Sequence, residues 1–204
     1  MSTLCEPLES RMLLSASLAT VLADAATVKK DLGPIHADIG KCQATANHDG
    51  AGLSAALRKS KASSDRTLLN MFRADVHSSF APLKSHLDAA SRAGSRDLAR
   101  VLADDKQLVR KAGDTAALAR RATDLAALSA DSAALTLAAD AGASRTAESV
   151  DLTAIGAAHP TDTAVQAAIA TAKTNATNCV TTLTADQTKL KADISTFETD
   201  AGSI

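Results

Sequence analysis

The chain has 204 residues, of which 46% are hydrophobic and 22% are charged, and its formal net charge is -1. This length fits one domain with a sizeable core, and the composition is that of a folded rather than a disordered chain. Only 1% of the residues are aromatic. Because aromatic and β-branched residues favour strands whereas alanine favours helices, the composition predicts an all-α protein. The scarcity of aromatic side chains also argues against a small-molecule pocket and against base stacking.

The charges are unevenly distributed along the chain. Residues 57–121 carry 14 Lys or Arg against 7 Asp, whereas residues 122–204 carry 4 Lys or Arg against 10 Asp or Glu. A basic face can bind nucleic acid. Here the basic residues alternate with Asp, and an acidic segment of the same bundle is available to pack beside them. We therefore expect no nucleic-acid partner.

The N-terminus carries a short motif formed by Leu8, Glu9, Arg11, Leu13 and Leu14. It resembles the LEPR-XLL motif of planctomycete exported and surface proteins, with Ser10 where that family most often has proline. The resemblance covers residues 4–16 only. It implies an extracellular or cell-surface location and contact with sorting machinery. We expect residues 1–13 to be a targeting-like segment that lies outside the bundle, in an extended or frayed conformation.

The first predicted helix covers residues 14–47. Its apolar residues recur in alternating steps of four and three, which places them on one stripe of a helix; they are Leu14, Leu18, Val21, Ala25, Val28, Leu32, Ile35, Ile39, Cys42 and Ala46. The stripe stays in phase across Pro34, so we expect one kinked helix rather than two. A cluster of turn-forming residues at 47–52 predicts its end.

Two further helices are predicted at residues 53–93 and 96–140, with a turn at Gly94 and Ser95 between them. The third helix is the richest in alanine. In its second half the predicted buried stripe consists of Thr115, Ala119, Ala122, Ala126, Ser129, Ala133 and Thr136, and the leucines at 118, 125, 128 and 135 widen it. Small residues on such a stripe allow helix axes to approach closely.

The pattern weakens between Gly142 and Pro160, where residues 144–157 fit either a short helix or part of a connection. A fourth helix is predicted at residues 162–200, with Thr163 and Gln166 in the spacing of a capping box. We therefore predict a single helical domain over residues 14–204. Its expected architecture is an elongated up-down-up-down four-helix bundle with coiled-coil-like, alanine-rich packing.

The three cysteines are Cys5, Cys42 and Cys179. Their number and spacing fit neither a zinc site nor a disulfide scaffold. Cys42 and Cys179 both fall on predicted helix stripes, and two interpretations fit them equally. They form a disulfide if the protein is exported, or they are two small buried hydrophobic residues. In either case we expect Cys5 to remain a reactive thiol.

The sequence contains no recognisable catalytic or cofactor-binding pattern. No Glu stands three residues before a His, as di-metal bundles require, and the five histidines are scattered. There is no phosphate-binding glycine loop and no nucleophile in a recognisable context. Asp105 and Asp186 interrupt the apolar stripes, which we interpret as structural. We expect no enzyme activity, no metal and no cofactor.

Two functional hypotheses follow. The first is an exported or surface-associated structural or interaction protein, with self-association or a surface protein as its partner. The second is an amphipathic helical protein that opens to coat a lipid or hydrophobic granule surface. The longest uncharged run of the N-terminal region, residues 12–23, is too short to span a bilayer, so no transmembrane segment is expected.

Overall fold

The computed structural model describes residues 6–59, 66–111 and 113–204, with their side chains from residue 17 onward. This part of the chain contains five α-helices and no strand: α1 Glu6–Lys59, α2 Arg66–Arg110, α3 Thr115–Ala134, α4 Leu137–Ala158 and α5 Thr163–Gly202. The predicted all-α helical bundle is confirmed.

Contacts within the chain group it into two compact units rather than the single domain that the sequence predicted. Unit 1 comprises Met1–Gly33, Asp88–Leu135 and Thr188–Ile204, and unit 2 comprises Pro34–Leu87 and Thr136–Gln187. Each unit is therefore built from four helical segments. Unit 1 takes α3 whole and unit 2 takes α4 whole, while α1, α2 and α5 each contribute a segment to both.

Unit 1 has antiparallel neighbours. Lys189 of α5 forms an ion pair with Asp31 of α1, and further along α5 Asp200 lies beside Asp24, which is earlier in α1. Its core is made of aliphatic side chains and one phenylalanine: Val21, Ala25, Val28, Leu98, Val101, Leu108, Leu128, Leu190, Ile194 and Phe197.

Unit 2 is also antiparallel. The α1 residues Cys42 and Asp49 contact Cys179 and Asn175 of α5, so that α5 runs backwards along α1. This unit holds the larger apolar side chains, among them Ile35, Ile39, Leu53, Phe72, Phe80, Leu83, Leu87, Leu152, Ile155 and Leu183. Its α4 is tied to α5 at both ends. Gln187 accepts a hydrogen bond from the Ala138 N–H, and Gln166 donates to the carbonyls of Gly156 and His159.

The helix ends differ from the prediction at several places. α1 begins at Glu6 rather than residue 14 and continues through residues 47–52 to Lys59. α2 continues through Gly94 and Ser95 to Arg110. Both predicted turns are wrong, because the buried stripe stays in step across them, with Asp49 and Leu53 buried in α1 and Asp97 and Leu98 buried in α2.

The prediction was more accurate for the kinked first helix and for the last one. α1 is continuous through Pro34, as predicted. α5 lies within a few residues of the predicted range, although its N-terminal cap is Asp162, whose carboxylate accepts from the N–H groups of Ala164 and Val165. Thr163 is therefore the first residue of the helix and not its cap. Residues 144–157 are helical as part of α4.

The predicted stripe of the third helix is wrong after the turn at Gly113. The structure buries Ala117, Arg121 and Leu128 on α3. Of the predicted leucines on α3, Leu128 is buried, whereas the members of the alanine stripe on this helix are exposed: Thr115, Ala119, Ala122, Ala126, Ser129 and Ala133. The prediction carried one helical phase past Gly113 and Asp114, where the chain turns and a new phase begins.

No helix among the described residues is both long enough and apolar enough to cross a membrane.

Candidate functional site

The two predicted stripe cysteines are joined. Cys42 of α1 and Cys179 of α5 form a disulfide with a Cα–Cα distance of 5.6 Å, which lies in the usual range for such bridges. Of the two interpretations that the sequence left open, the structure agrees with the disulfide. Cys5 lies outside the described residues.

The motif residues Leu8, Glu9, Arg11, Leu13 and Leu14 fall in the first turns of α1. Their backbone is helical rather than extended, and the alternative of a frayed N-terminus stays a prediction. Their side chains lie outside the described part of the chain, and the expectation that they stand clear of the bundle stays a prediction.

Beside the disulfide, unit 2 encloses a cavity of about 20 Å³. Its polar lining comes from three helices, with Asp49 on α1, Ser144 and Glu148 on α4, and Asn175 on α5. The cavity has room for about one water molecule. We call Asp49, Asp75, Glu148 and Asp151, with Ser144 and Asn175, the acidic cluster of unit 2.

Asp49 is held by an amide. The side-chain N–H₂ of Asn175 donates to both of its carboxylate oxygens, at 2.9 and 3.1 Å. Burial raises the pKa of Asp49, against the opposing effects of the Asn175 hydrogen bond and of the nearby His48. The cost of removing the carboxylate from water therefore outweighs the stabilising contacts.

Glu148 lies deeper, with only 5% of its surface exposed. The hydroxyl of Ser144 donates to its Oε1 at 3.2 Å. Its pKa is raised by burial first and then by the negative charges of Asp49 and Asp75, while the Ser144 hydrogen bond works in the opposite direction. Like charges that are close together disfavour a second ionised carboxyl.

Asp151 is 4% exposed and faces Asp75 of α2. Its Oδ2 atom is buried and accepts no hydrogen bond. Burial, and then the negative charge and close approach of the Asp75 carboxyl, raise the pKa of Asp151. A buried carboxylate oxygen without a donor is costly, whereas a protonated carboxyl could donate to its neighbour.

The charge of this cluster is not balanced by ion pairs. Among the described residues, no Lys, Arg or His lies within ion-pair distance of any of the four carboxyls. Nor does the described part of the chain place three or more His, Cys, Asp or Glu side chains where they could hold a metal ion together. The chemistry that this arrangement supports is the uptake and release of protons.

This cluster was not predicted from the sequence, because the buried positions of α4 that form it carry polar rather than apolar residues. The buried residues of α4 do follow alternating steps of four and three, through Leu137, Ala141, Ser144, Glu148, Asp151 and Ile155. Three positions in the middle of that series carry Ser144, Glu148 and Asp151, so the series is not recognisable as an apolar stripe. The spacing alone, read without regard to hydrophobicity, would have revealed the stripe.

Unit 1 buries a different polar pair. Asp105 of α2 is 0% exposed, and Nη1 of Arg121 on α3 lies 3.4 Å from its Oδ1. The same Nη1 donates to the Ala201 carbonyl of α5 at 3.0 Å. Burial raises the pKa of Asp105 to about 6 although Arg121 opposes the shift. The pair joins three helices, and we interpret it as structural.

Comparison with known proteins yields no relative: no family model matches the chain, and neither a curated protein nor a solved structure is detectably similar to it.

Proposed function

We propose that this chain is a non-enzymatic helical structural or interaction protein of the cell exterior or cell surface. The observation that carries the proposal is the disulfide between Cys42 and Cys179. Disulfides persist in oxidising compartments and are rare where thiols are kept reduced.

The bridge supports export independently of the N-terminal motif. The two cysteines are separated by 137 residues in sequence, and a cross-link over so long a loop restricts the unfolded chain strongly. Such a bond is useful to a protein that must survive outside the cell. The sorting signal in this proposal is the N-terminal motif formed by Leu8, Glu9, Arg11, Leu13 and Leu14.

The dimensions of the buried cavity support a structural rather than a catalytic role for the acidic cluster. Small-molecule sites measure roughly 300–1,000 Å³, whereas this cavity measures about 20 Å³. The space beside Glu148 and Asp49 is therefore much smaller than a typical small-molecule site.

Localisation of a tagged chain tests the proposal. The variant Arg11→Glu/Leu13→Asp changes the charge and the apolar pair of the motif, and we expect it to remain inside the cell while the wild type is found outside or on the surface. The matched control is Lys29→Glu/Leu22→Asp, which makes the same two chemical changes at exposed positions of α1. The control should be exported normally.

Two results would contradict the proposal. Export of the motif variant to the same extent as the control would remove the role of the motif. Binding of the oxidised protein to phospholipid vesicles in a flotation assay would favour the second hypothesis, the coating of a lipid or hydrophobic granule surface. The bridge between α1 and α5 works against such a rearrangement in unit 2, because it prevents these two helices from separating.

A further inference from the structure

The helix α4 is attached to unit 2 through an unusual stripe. Ser144, Glu148 and Asp151 occupy three consecutive stripe positions between Ala141 and Ile155. An ordinary bundle helix would bury apolar side chains at these positions. Here each ionised carboxylate must give up its hydration when α4 packs, which is unfavourable unless the charge is removed or compensated.

The neighbouring helices add negative rather than positive charge. α1 contributes Asp49, α2 contributes Asp75, and α5 contributes the neutral Asn175. Three basic side chains of the described residues lie near the cluster, His48 on α1, Arg73 on α2 beside Gly50, and Arg145 on α4 at the cavity wall, and all three are exposed. Lys173 of α5 donates instead to Thr153.

We propose that Asp49, Glu148 and Asp151, packed close to the carboxylate of Asp75, form a proton-operated latch that controls how firmly α4 is docked in unit 2. When the solution is acidic, the carboxyls take up protons from solvent and α4 packs tightly. When the pH rises, they release protons to solvent, negative charge accumulates under α4, and its packing loosens. No bond other than the O–H bonds of the carboxyls forms or breaks.

The unpaired oxygen of Asp151 is the geometric basis of this proposal. Its Oδ2 is buried without a donor, and Asp75 lies within hydrogen-bonding distance. A shared proton between the two carboxyls would satisfy both side chains. A bound cation would be another way to compensate the negative charge of these carboxylates. Among the described residues, however, no group of three or more His, Cys, Asp or Glu side chains could hold a metal ion.

The direction of the pH dependence follows from the raised pKa values of Asp49, Glu148 and Asp151. A carboxyl whose pKa is higher in the folded than in the unfolded protein stabilises the fold fully below the unfolded value, which is 3.8 for Asp and 4.5 for Glu. This stabilisation is lost as the pH rises through the folded value. Unit 2 should therefore be held most firmly under mildly acidic conditions.

Thermal unfolding followed by circular dichroism between pH 4.5 and 8.5, with the disulfide intact, tests the latch. The isosteric variant Glu148→Gln/Asp151→Asn keeps an acceptor for Ser144 and cannot ionise at these positions. We expect it to melt close to the wild type at pH 4.5 and above it at pH 8, because the buried carboxylates that destabilise the wild type at high pH are absent from the variant. The control Asp38→Asn removes a half-buried carboxylate of the same unit that lies outside the cluster and pairs with Lys41. It should not reproduce the stabilisation that the double variant shows at pH 8.

A second measurement does not depend on the variants. Hydrogen exchange of the α4 amides in the wild type, corrected for the intrinsic effect of pH, should show protection that decreases from pH 5 to pH 8. The single variant Asp151→Asn should remove part of that decrease.

Equal protection at both pH values, or a double variant that melts below the wild type by the same amount at every pH, would overturn the proposal. So would stabilisation by Ca²⁺ at pH 8 that Glu148→Gln abolishes, since it would replace the proton by a cation.

Discussion

Asp105 of α2 and Arg121 of α3 form an ion pair in unit 1 in which both side chains are buried. Arg121 lies on the buried side of α3. Its guanidinium also donates a hydrogen bond to the carbonyl of Ala201 near the end of α5.

Replacing Arg121 by Met should destabilise the protein in a pH-dependent manner. Removing one partner of a buried pair leaves an uncompensated charge and costs about 3 kcal/mol or more. Asp105 has a pKa raised to about 6, so it is largely neutral at pH 5 and charged at pH 8. The loss in the free energy of unfolding should therefore be smaller at pH 5 than at pH 8, as measured by urea denaturation.

The neighbouring arginine provides the control. Arg120 is exposed and pairs at 2.9 Å with Asp104, whose side chain is buried, so solvent screens this pair only in part. Arg120→Met should therefore cost less than Arg121→Met at pH 8. If both variants lost the same stability, or if the loss in Arg121→Met were independent of pH, the buried pair would not behave as described.

At the scale of helices, the predicted turns failed where local composition and tertiary packing disagreed. Residues 47–52 contain Asn, Asp and two glycines, which are frequent in turns. In the structure Asp49 and Leu53 continue the buried stripe of α1, and their burial outweighs the weak local preference. Gly94 behaves similarly in α2, where the position of its missing Cβ lies 3.9 Å from Leu128.

Two glycine substitutions distinguish a helix from a turn. Gly52 is exposed inside α1, and an added Cβ would meet no atom within 4 Å. Gly52→Ala should therefore stabilise the protein by about 0.5–1 kcal/mol. Gly113 has a φ of 76°, a conformation that costs other residues roughly 1–2 kcal/mol, so that Gly113→Ala should destabilise it. Thermal unfolding of both variants measures the difference. If Gly52→Ala were destabilising, the chain would turn at 47–52 after all.

The helix α4 shows a different limit of sequence analysis. Its spacing is that of a bundle helix, but three of its buried positions carry Ser144, Glu148 and Asp151. Hydrophobic patterns identify a buried face only when that face is apolar. When polar side chains are buried together, their neighbours determine whether the burial is stable. Here the neighbouring groups are Asp49 on α1, Asp75 on α2 and Asn175 on α5, and all three lie outside α4 in the sequence.

For the whole molecule, the sequence determined the helical class because that depends on composition and spacing. The range of α5 was also predictable, since an Asp and a Pro precede its long stripe. The division into two units was not predictable. It depends on which helical segments contact one another, and although Gly33 and Pro34 mark the boundary in α1, no such residues mark the boundaries at Asp88 and Thr188.

The disulfide connects the fold of unit 2 to the proposed location of the protein, and mapping it is the most direct test of this account. Protein recovered from outside the cell would be alkylated without reduction, digested with trypsin and analysed by mass spectrometry. Cleavage after Lys41 and Arg58, and after Lys173 and Lys189, releases one peptide with each cysteine. We predict that residues 42–58 and 174–189 are recovered as one cross-linked species, with Cys5 alkylated. Recovery of both peptides separately, with Cys42 and Cys179 fully alkylated, would contradict the account.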